Sequence, residues 1–250
     1  MESIGHEWLE ERTIILAPTG SYAYGTNTED SDKDYKGICI PPVSYFLGLE
    51  SFNEYNSSGG KNFKNSKDDI DINIIHITKF VKDAMVGVPN NIEILFLKNE
   101  QYIKITDLGQ QLIDSRHLFL SREIQKKFGG YANSQIQKLK QRNDSRSGRQ
   151  DLIDLYGYDT KFFMHSVRLL TSAIEILETG NFSTYRPNRS FLLDCRNGKY
   201  TFGEAEELIE SLDNDLKQAA EHSPLPDKPD YNAINQLLVR INSLAIDKEL

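Results

Sequence analysis

Two aspartates, Asp32 and Asp34, stand two residues apart and follow the small residues Gly20 and Ser21. On an extended strand, residues two apart point to the same side, so the two carboxylates could share divalent cations. A glycine beside a small hydroxyl side chain lets backbone N–H groups approach a phosphate chain closely. Together the four residues predict a metal-dependent enzyme that acts on a nucleoside triphosphate.

A third carboxylate is expected on a neighbouring strand. A pair of magnesium ions needs two or three carboxylates, with water and phosphate oxygens in the other positions. We predict that Asp71, on a strand predicted over 70–75, completes the set, and Asp69 is the rival because it shares the same strand parity. The alternative interpretation of Asp32 and Asp34 is an ordinary acidic turn, since the chain holds 37 acidic residues.

A basic helix face supplies candidate phosphate ligands. The apolar residues of a helix predicted over 157–179 recur in steps of three and four and form a core stripe. On nearly the opposite side, Lys161, His165 and Arg168 stack along one face. If that face closes over the carboxylates, its cations bind a triphosphate or an acceptor phosphate; the alternative is a solvated basic face. Near the glycine, Tyr22 either stacks on a nucleotide base or packs within its loop.

The elements that must position these residues fall into two halves. Apolar runs predict short strands over 13–17, 35–40 and 70–75, with a surface loop or hairpin over 51–68. Beyond about residue 104 the pattern is almost wholly helical. We therefore predict an α+β fold, in which a small α/β domain with a mixed sheet over 1–100 is followed by an all-helical domain over 101–250. The predicted helices cover 78–86, 106–114, 121–142, 157–179, 203–222 and 230–248.

The composition is that of a globular protein with an interior. The chain has 250 residues, of which 38% are hydrophobic and 26% are charged. No apolar run approaches the roughly 20 residues of a membrane span. The first seven residues lack the pattern of a secretion signal, and Cys39 and Cys195 lack metal-ligand spacing. We therefore expect a reduced, cytoplasmic protein.

The charge of the chain is uneven along its length. The net charge of −8 argues against a protein that coats nucleic acid broadly. Residues 122–149 nevertheless carry eight basic residues against two acidic ones. This basic segment either tracks phosphates or is a solvated helix face.

The spacing of the opening motif resembles that of a known superfamily. Gly20-Ser21 followed after ten residues by Asp32-x-Asp34 is similar to the signature of the DNA polymerase beta-like nucleotidyltransferases. The longer pattern Gly-Ser-x-x-Tyr-Gly-Thr…Ser-Asp-x-Asp-x-Lys-Gly resembles the predicted nucleotidyltransferases of the YcgL type. The resemblance implies that Gly20 and Ser21 hold the triphosphate and that Asp32 and Asp34 bind metal, with Asp71 at the third carboxylate position. Lys33 departs from the superfamily pattern, which often has an apolar residue there.

The implied reaction is transfer of a nucleoside monophosphate from a nucleoside triphosphate, such as ATP, to an acceptor hydroxyl, with release of pyrophosphate. Its expected cofactors are two Mg²⁺ or Mn²⁺ ions. The acceptor is an RNA 3′ end, a small molecule or a protein side chain, and the oligomeric state stays open. Two other classes remain as alternatives: a nucleic-acid-binding accessory protein that uses the basic segment, and a regulatory module that binds nucleotide without chemistry.

Overall fold

A five-stranded mixed sheet forms one layer of the protein. The computed structural model describes residues 6–29, 31–57, 70–140 and 150–246. The strands are β1 (Thr13–Pro18), β2 (Lys33–Cys39), β3 (Glu54–Asn56), β4 (Ile70–His76) and β5 (Lys104–Ile105). They lie in the order β3-β4-β2-β1-β5, in which β2 and β4 run parallel and the other neighbouring pairs are antiparallel. The predicted α+β class with a mixed sheet is confirmed.

Helices cover the sheet and make up most of the remaining chain. The first six are α1 (Leu9–Arg12), α2 (Gly20–Tyr24), α3 (Ser44–Leu47), α4 (Ile77–Met85), α5 (Pro89–Leu95) and α6 (Asp107–Asp114). The others are α7 (Glu123–Lys140), α8 (Gln150–Tyr156), α9 (Thr160–Thr179), α10 (Arg189–Arg196), α11 (Phe202–His222) and α12 (Tyr231–Ile246). The predicted helices agree with these bounds to within a few residues. Residues 141–149, the end of the basic segment, lie outside the described part.

One face of the central strands changes from apolar to acidic along its length. Ile38 on β2 and Ile75 on β4 belong to the main hydrophobic core, whereas Cys39 packs in a smaller cluster on the other face. Because side chains alternate along a strand, Asp34 and Asp71 share the face of Ile38 and Ile75. The strands therefore carry these two carboxylates at the edge of the helical layer.

The long helix α9 lies at the centre of the helical half. Asp159 caps it by accepting from the backbone N–H groups of Lys161, at 3.0 Å, and Phe162, at 3.2 Å. The helix ends where Gly180 adopts a left-handed φ of 64°. Helices α7, α10 and α11 all pack against it. Buried side chains therefore lie around most of α9. The buried surface of this helix is wider than the single core stripe predicted from the sequence.

The hydrophobic core joins the two halves of the chain. Its buried residues run from Ile14 on β1 to Ala245 on α12, and they include Phe163 of the central helix. The domain boundary near residue 100 stays a prediction. Across the described ranges, no helix has both the length and the apolar character that spanning a membrane requires.

The two cysteines are buried thiols without a disulfide bond. Burial raises the pKa of both Cys39 and Cys195 to about 12, so neither is an activated nucleophile. The cytoplasmic location stays a prediction.

Replacing Asp159 by alanine removes the oxygen that accepts two backbone N–H groups at the start of α9. We expect the free energy of unfolding to fall by about 1 kcal/mol, the usual cost of losing an N-cap. Urea unfolding followed by circular dichroism measures the change. The control is Glu210→Ala at an exposed site within α11, and equal stabilities of the two variants would contradict the capping role.

Candidate active site

The turn after β1 brings the chain backbone close to a carboxylate. Helix α2 begins at Gly20, whose φ of 61° is a left-handed conformation that glycine adopts without strain. A Cβ atom at this position would lie 3.6 Å from Oδ2 of Asp34. The backbone N–H of Thr19 donates to the carbonyl oxygen of Asp34 at 2.8 Å. Gly20 therefore lies beside the Asp34 carboxylate, and Ser21 follows it in the same turn.

A segment from the helical half covers the other end of α2. We call residues 182–186 the strap. Gly25 follows α2 with a φ of 73°, and a Cβ atom there would approach Cε2 of Tyr185 to 2.5 Å. The backbone N–H of Arg186 donates to the carbonyl oxygen of Tyr24 at 3.0 Å. Only glycine at position 25 leaves room for the strap to pack on α2 in this way.

Three carboxylates lie together at the acidic end of the sheet. The parallel pairing of β2 with β4 sets Asp34 directly opposite Asp71, and Asp32 immediately precedes β2. Burial raises the pKa of Asp34, and the negative charges of Asp71 and Asp32 raise it further, whereas Lys161 lowers it. The carboxylates thus repel one another, and a cation placed among them would relieve that repulsion.

A cleft of about 160 Å³ opens between this end of the sheet and α9. It brings together six of the nine residues that the sequence predicts for the site, from three separate stretches of the chain. They are Gly20, Ser21, Asp32, Asp34, Lys161 and His165. We call this the first cleft. Its acidic wall belongs to the sheet, and its basic wall belongs to α9.

Sequence reasoning missed several residues that line the first cleft. Tyr24, Thr26 and Ser31 belong to the longer pattern that resembles the YcgL type, which is the signal that could have identified them. Met164 lies beside His165 on α9 and carries no chemical signal of its own. Arg196, at the end of α10, adds a cation that only tertiary packing brings to the cleft.

A second cleft of about 280 Å³ shares Asp34 with the first. Asp34 lines both clefts, whereas Asp71 lines only the second. The remaining polar lining of the second cleft comes from the sheet, from Thr19 and from the start of α5. Its polar side chains are those of Thr19, Lys36, Asn56, Asn73 and Asn90, in addition to Tyr35.

Lys36 is the basic residue of the second cleft. Its side chain donates to Oδ1 of Asn91 at 2.5 Å, and the Asn91 amide in turn donates to the carbonyl oxygen of Phe80 at 3.1 Å. Burial lowers the pKa of Lys36 to about 8, with a further contribution from the positive charge of Lys79. Lys36 is still mainly a cation at neutral pH.

A buried ionic network lies beneath α2. Arg168 of α9 forms an ion pair with Glu93 of α5, and the two side chains are 6% and 5% exposed. The Tyr24 hydroxyl donates to Oε2 of Glu93 at 2.9 Å, and the Arg168 guanidinium lies 3.8 Å from the centre of the Tyr24 ring. Burial raises the pKa of Tyr24, so its hydroxyl stays a neutral donor. Burial alone lowers the pKa of Arg168, but Glu93 and Tyr24 more than offset this and raise it.

The position of Arg168 differs from the prediction that it contacts phosphate together with Lys161 and His165. It does not line the first cleft, and its guanidinium is buried against Glu93. The reason is the rise of the helix: seven residues advance about 10 Å along the axis, which carries Arg168 out of the cleft. In the structure Arg168 instead packs against Glu93 of α5 and the ring of Tyr24 on α2.

Tyr22 is a further predicted residue that the structure does not bring into the first cleft. Tyr22 is half-buried on α2, and its carbonyl oxygen accepts from the side chain of Gln101 at 3.3 Å. Its side chain lines neither cleft. Asp69, the rival third carboxylate, lies outside the described residues, so the choice between it and Asp71 stays a prediction.

The donor chemistry of the carboxylates fits a hard divalent cation. In the ranges that the structure describes, no three Asp, Glu, His or Cys side chains already form a compact metal site. Asp32, Asp34 and Asp71 nevertheless supply the oxygen donors that Mg²⁺ prefers, and their mutual repulsion contributes to the raised pKa of Asp34. Water and phosphate oxygens would complete such a coordination shell.

A mixed sheet on which a glycine-serine turn faces adjacent aspartates defines a protein of the polymerase beta-like nucleotidyltransferase class. The family model RlaP, described as the RNA repair pathway DNA polymerase beta family, matches residues 5–240. The chain belongs to this family. The superfamily resemblance is thereby confirmed, and the narrower YcgL-type resemblance stays a prediction.

Similarity to individual proteins is more distant. An uncharacterized 38.9 kDa protein in the nrdC-mobD intergenic region of Enterobacteria phage T4 is 29% identical over 146 residues, which are 57% of this chain and 43% of that protein. The chain thus spans less than half the length of that relative. A solved structure, the nucleotidyltransferase-like protein from Exiguobacterium sibiricum 255-15, aligns with 86% of this chain and 72% of its own at 11% identity and a TM-score of 0.30.

Replacing Glu93 by glutamine leaves the Arg168 guanidinium buried without a counter-charge. We expect the free energy of unfolding to fall by about 3–5 kcal/mol, the usual cost of removing one partner of a buried ion pair. Chemical denaturation measures this loss. The matched control is Glu123→Gln, which breaks the more exposed pair with Lys126 and should cost less than about 1 kcal/mol. Similar losses in the two variants would contradict the importance of the buried network.

Proposed function

We propose that the protein is a nucleotidyltransferase that transfers a nucleoside monophosphate from a nucleoside triphosphate to an acceptor hydroxyl and releases pyrophosphate. One observation carries the proposal: the first cleft has an acidic wall and a basic wall that face each other across the glycine-serine turn. A triphosphate needs cations along its length, and the metal ions that accompany it need carboxylates. Membership of a polymerase beta family supports the same activity.

The triphosphate lies along the basic wall in this proposal. Backbone N–H groups of Gly20 and Ser21 donate to its oxygens, which the glycine permits because no side chain stands between the turn and Asp34. Lys161, His165 and Arg196 offset its negative charge from the other side of the cleft. These contacts hold the phosphate chain in one orientation and so favour in-line displacement.

The carboxylates hold the metal ions and the acceptor. Asp32, Asp34 and Asp71 would bind two divalent ions, Mg²⁺ or Mn²⁺. When bound, the ions neutralise charge that develops on the phosphoryl oxygens and lower the pKa of the attacking hydroxyl. Asp71 accepts the proton of that hydroxyl. The acceptor oxygen then forms a bond to the α-phosphorus, and the bond from the α-phosphorus to the bridging oxygen breaks as pyrophosphate leaves.

An RNA 3′ end is the acceptor that the family description favours among the three considered, because it names an RNA repair pathway. The other function classes have weaker support. Within the described part of the basic segment, Arg122 forms an ion pair with Asp227 at 3.2 Å and Lys126 forms one with Glu123 at 3.0 Å. Phosphate binding by this segment therefore stays a prediction. A regulatory module without chemistry would have no need of three carboxylates at the edge of the cleft.

Asp32→Asn and Asp34→Asn should each reduce the release of pyrophosphate from nucleoside triphosphates by at least about 100-fold, because each removes a charge that the transition state depends on. Turnover is measured with Mg²⁺ or Mn²⁺ and a mixed pool of RNA, DNA and small-molecule acceptors. Thermal melting should not fall, since each variant relieves repulsion among the carboxylates.

The matched control for the aspartate variants is Glu29→Gln, an exposed carboxylate in the loop that precedes Asp32. It should retain wild-type turnover. If both aspartate variants released pyrophosphate as fast as Glu29→Gln, the proposed function would be wrong.

Lys161→Met should raise the KM for the nucleoside triphosphate by about tenfold, equivalent to about 1.4 kcal/mol of binding free energy, through loss of one charge-assisted contact. Steady-state kinetics with varied triphosphate measures the change. Lys199→Met is the control, because Lys199 is an exposed lysine that pairs with Asp194 at 2.7 Å away from the cleft. An unchanged KM in Lys161→Met would exclude the basic wall from triphosphate binding.

A further inference from the structure

We propose that the second cleft binds the acceptor, and that the acceptor is a phosphorylated sugar with a free hydroxyl group. The end of a nucleic-acid strand and a free sugar phosphate both present this chemistry. The inference rests on the proposed function, because it names the substrate class of the same site. It is carried by the position of the second cleft, by the polarity of its lining and by the surroundings of Lys36.

The position of the second cleft suits an attacking group. In an in-line displacement the nucleophile and the leaving group lie on opposite sides of the phosphorus atom. Asp34 lines both clefts, whereas Asp71 lines only the second. A triphosphate bound in the first cleft would receive a hydroxyl group from the second, and Asp71 would accept the proton of that hydroxyl.

The lining of the second cleft suits a sugar. Asn56, Asn73, Asn90 and Thr19 line the space next to Asp71, and the Asn73 amide also donates to the carbonyl oxygen of Tyr55 at 3.5 Å. Amide groups both donate and accept hydrogen bonds, as a ring with several hydroxyl groups requires. The side chain of Ile72 alternates to the other face of β4 and packs in the smaller hydrophobic cluster, so it gives the cleft no apolar wall. The cleft is therefore built for a hydrogen-bonding ligand rather than for an apolar one.

Lys36 provides a place for one phosphate. The parallel register sets it directly opposite Asn73, one step further along the shared strand face than Asp34 and Asp71. Its ammonium group donates to a neutral amide oxygen, that of Asn91, rather than to a carboxylate. A largely buried ammonium without direct charge neutralisation is costly, and an anionic ligand would remove that cost.

Apart from Asp34 and Asp71 in the same cleft, the acidic groups near Lys36 are already engaged with other cations. The charged residues that face it are Lys79, Asp83, Glu93 and Glu54. Asp83 and Glu54 lie 3.2 Å and 3.5 Å from the ammonium group of Lys79. Glu93 belongs to the buried network beneath α2. Throughout the part of the chain that the structure describes, Lys36 is therefore the cation of the second cleft without a carboxylate in ion-pair contact.

Fluorescence anisotropy tests the assignment directly. The probe is a fluorescein-labelled RNA hexanucleotide with a free 3′ hydroxyl, measured with Mg²⁺ and a non-hydrolysable triphosphate analogue. Lys36→Met and Asn73→Ala should each weaken probe binding by at least about tenfold, while the dissociation constant of the triphosphate analogue changes by less than about twofold. Asn53→Ala, an exposed asparagine of the same sheet region, should bind the probe like the wild type.

Competition then identifies the source of the ligand. Displacement of the probe by ribose 5-phosphate would support a free sugar phosphate, and displacement only by an unlabelled strand would support a strand end. Absence of probe binding to the wild type, or unchanged binding in both Lys36→Met and Asn73→Ala, would overturn the assignment. An equal loss in Asn53→Ala would also overturn it, because the effect would then not belong to the cleft.

The failure of this inference differs from the failure of the proposed function. If Asp34→Asn abolishes triphosphate turnover but the Lys36 and Asn73 variants bind the probe normally, the nucleotidyltransferase stands and its acceptor lies elsewhere. If Asp32→Asn and Asp34→Asn both leave turnover unchanged, the proposed function itself is wrong, whatever the probe does.

Discussion

The ion pair between Glu93 and Arg168 is the interaction on which the geometry of the site depends. It joins α5 to the central helix α9, and through the Tyr24 hydroxyl it also fixes α2. Each partner alone would be a buried, uncompensated charge, so the three helices are stable only in an arrangement that satisfies all three groups. Glu93 and Arg168 line neither cleft, whereas Tyr24 lines the first and lies on the helix that begins at Gly20.

In the sheet, by contrast, the strand register brings two like charges together. Its pairing register places Asp34 against Asp71, an arrangement that is unfavourable on electrostatic grounds because like charges approach each other. Packing of Ile38 and Ile75 in the core on the same strand face holds the two strands in this register despite the repulsion. Burial of apolar side chains at one end of the strands thus holds the two repelling carboxylates together at the other end.

Local patterns predicted the parts of the site that local geometry determines. Alternation along a strand was sufficient to place Asp34 and Asp71 on faces that can meet, and helical spacing placed Lys161 and His165 on one face. Neither pattern shows how far a side chain lies below the protein surface. Arg168 was therefore predicted to line the cleft, although the helix carries it into the interior. Arg196 was missed because α10 reaches the cleft only through packing on α9. The α+β class followed from the order of the predicted elements, whereas the strand order depends on pairings distant in sequence.

The strap across α2 has a consequence for the thermodynamics of ligand binding. Tyr185 packs on Gly25, and its ring also receives the cations of Lys98 and Arg189, at 3.8 Å and 5.2 Å from the ring centre. The turn proposed to bind the triphosphate is therefore held in place in the absence of ligand. The backbone of this turn is ordered when the protein folds, so ligand binding orders little more of it. Binding therefore avoids the entropic cost that flexible phosphate-binding loops incur.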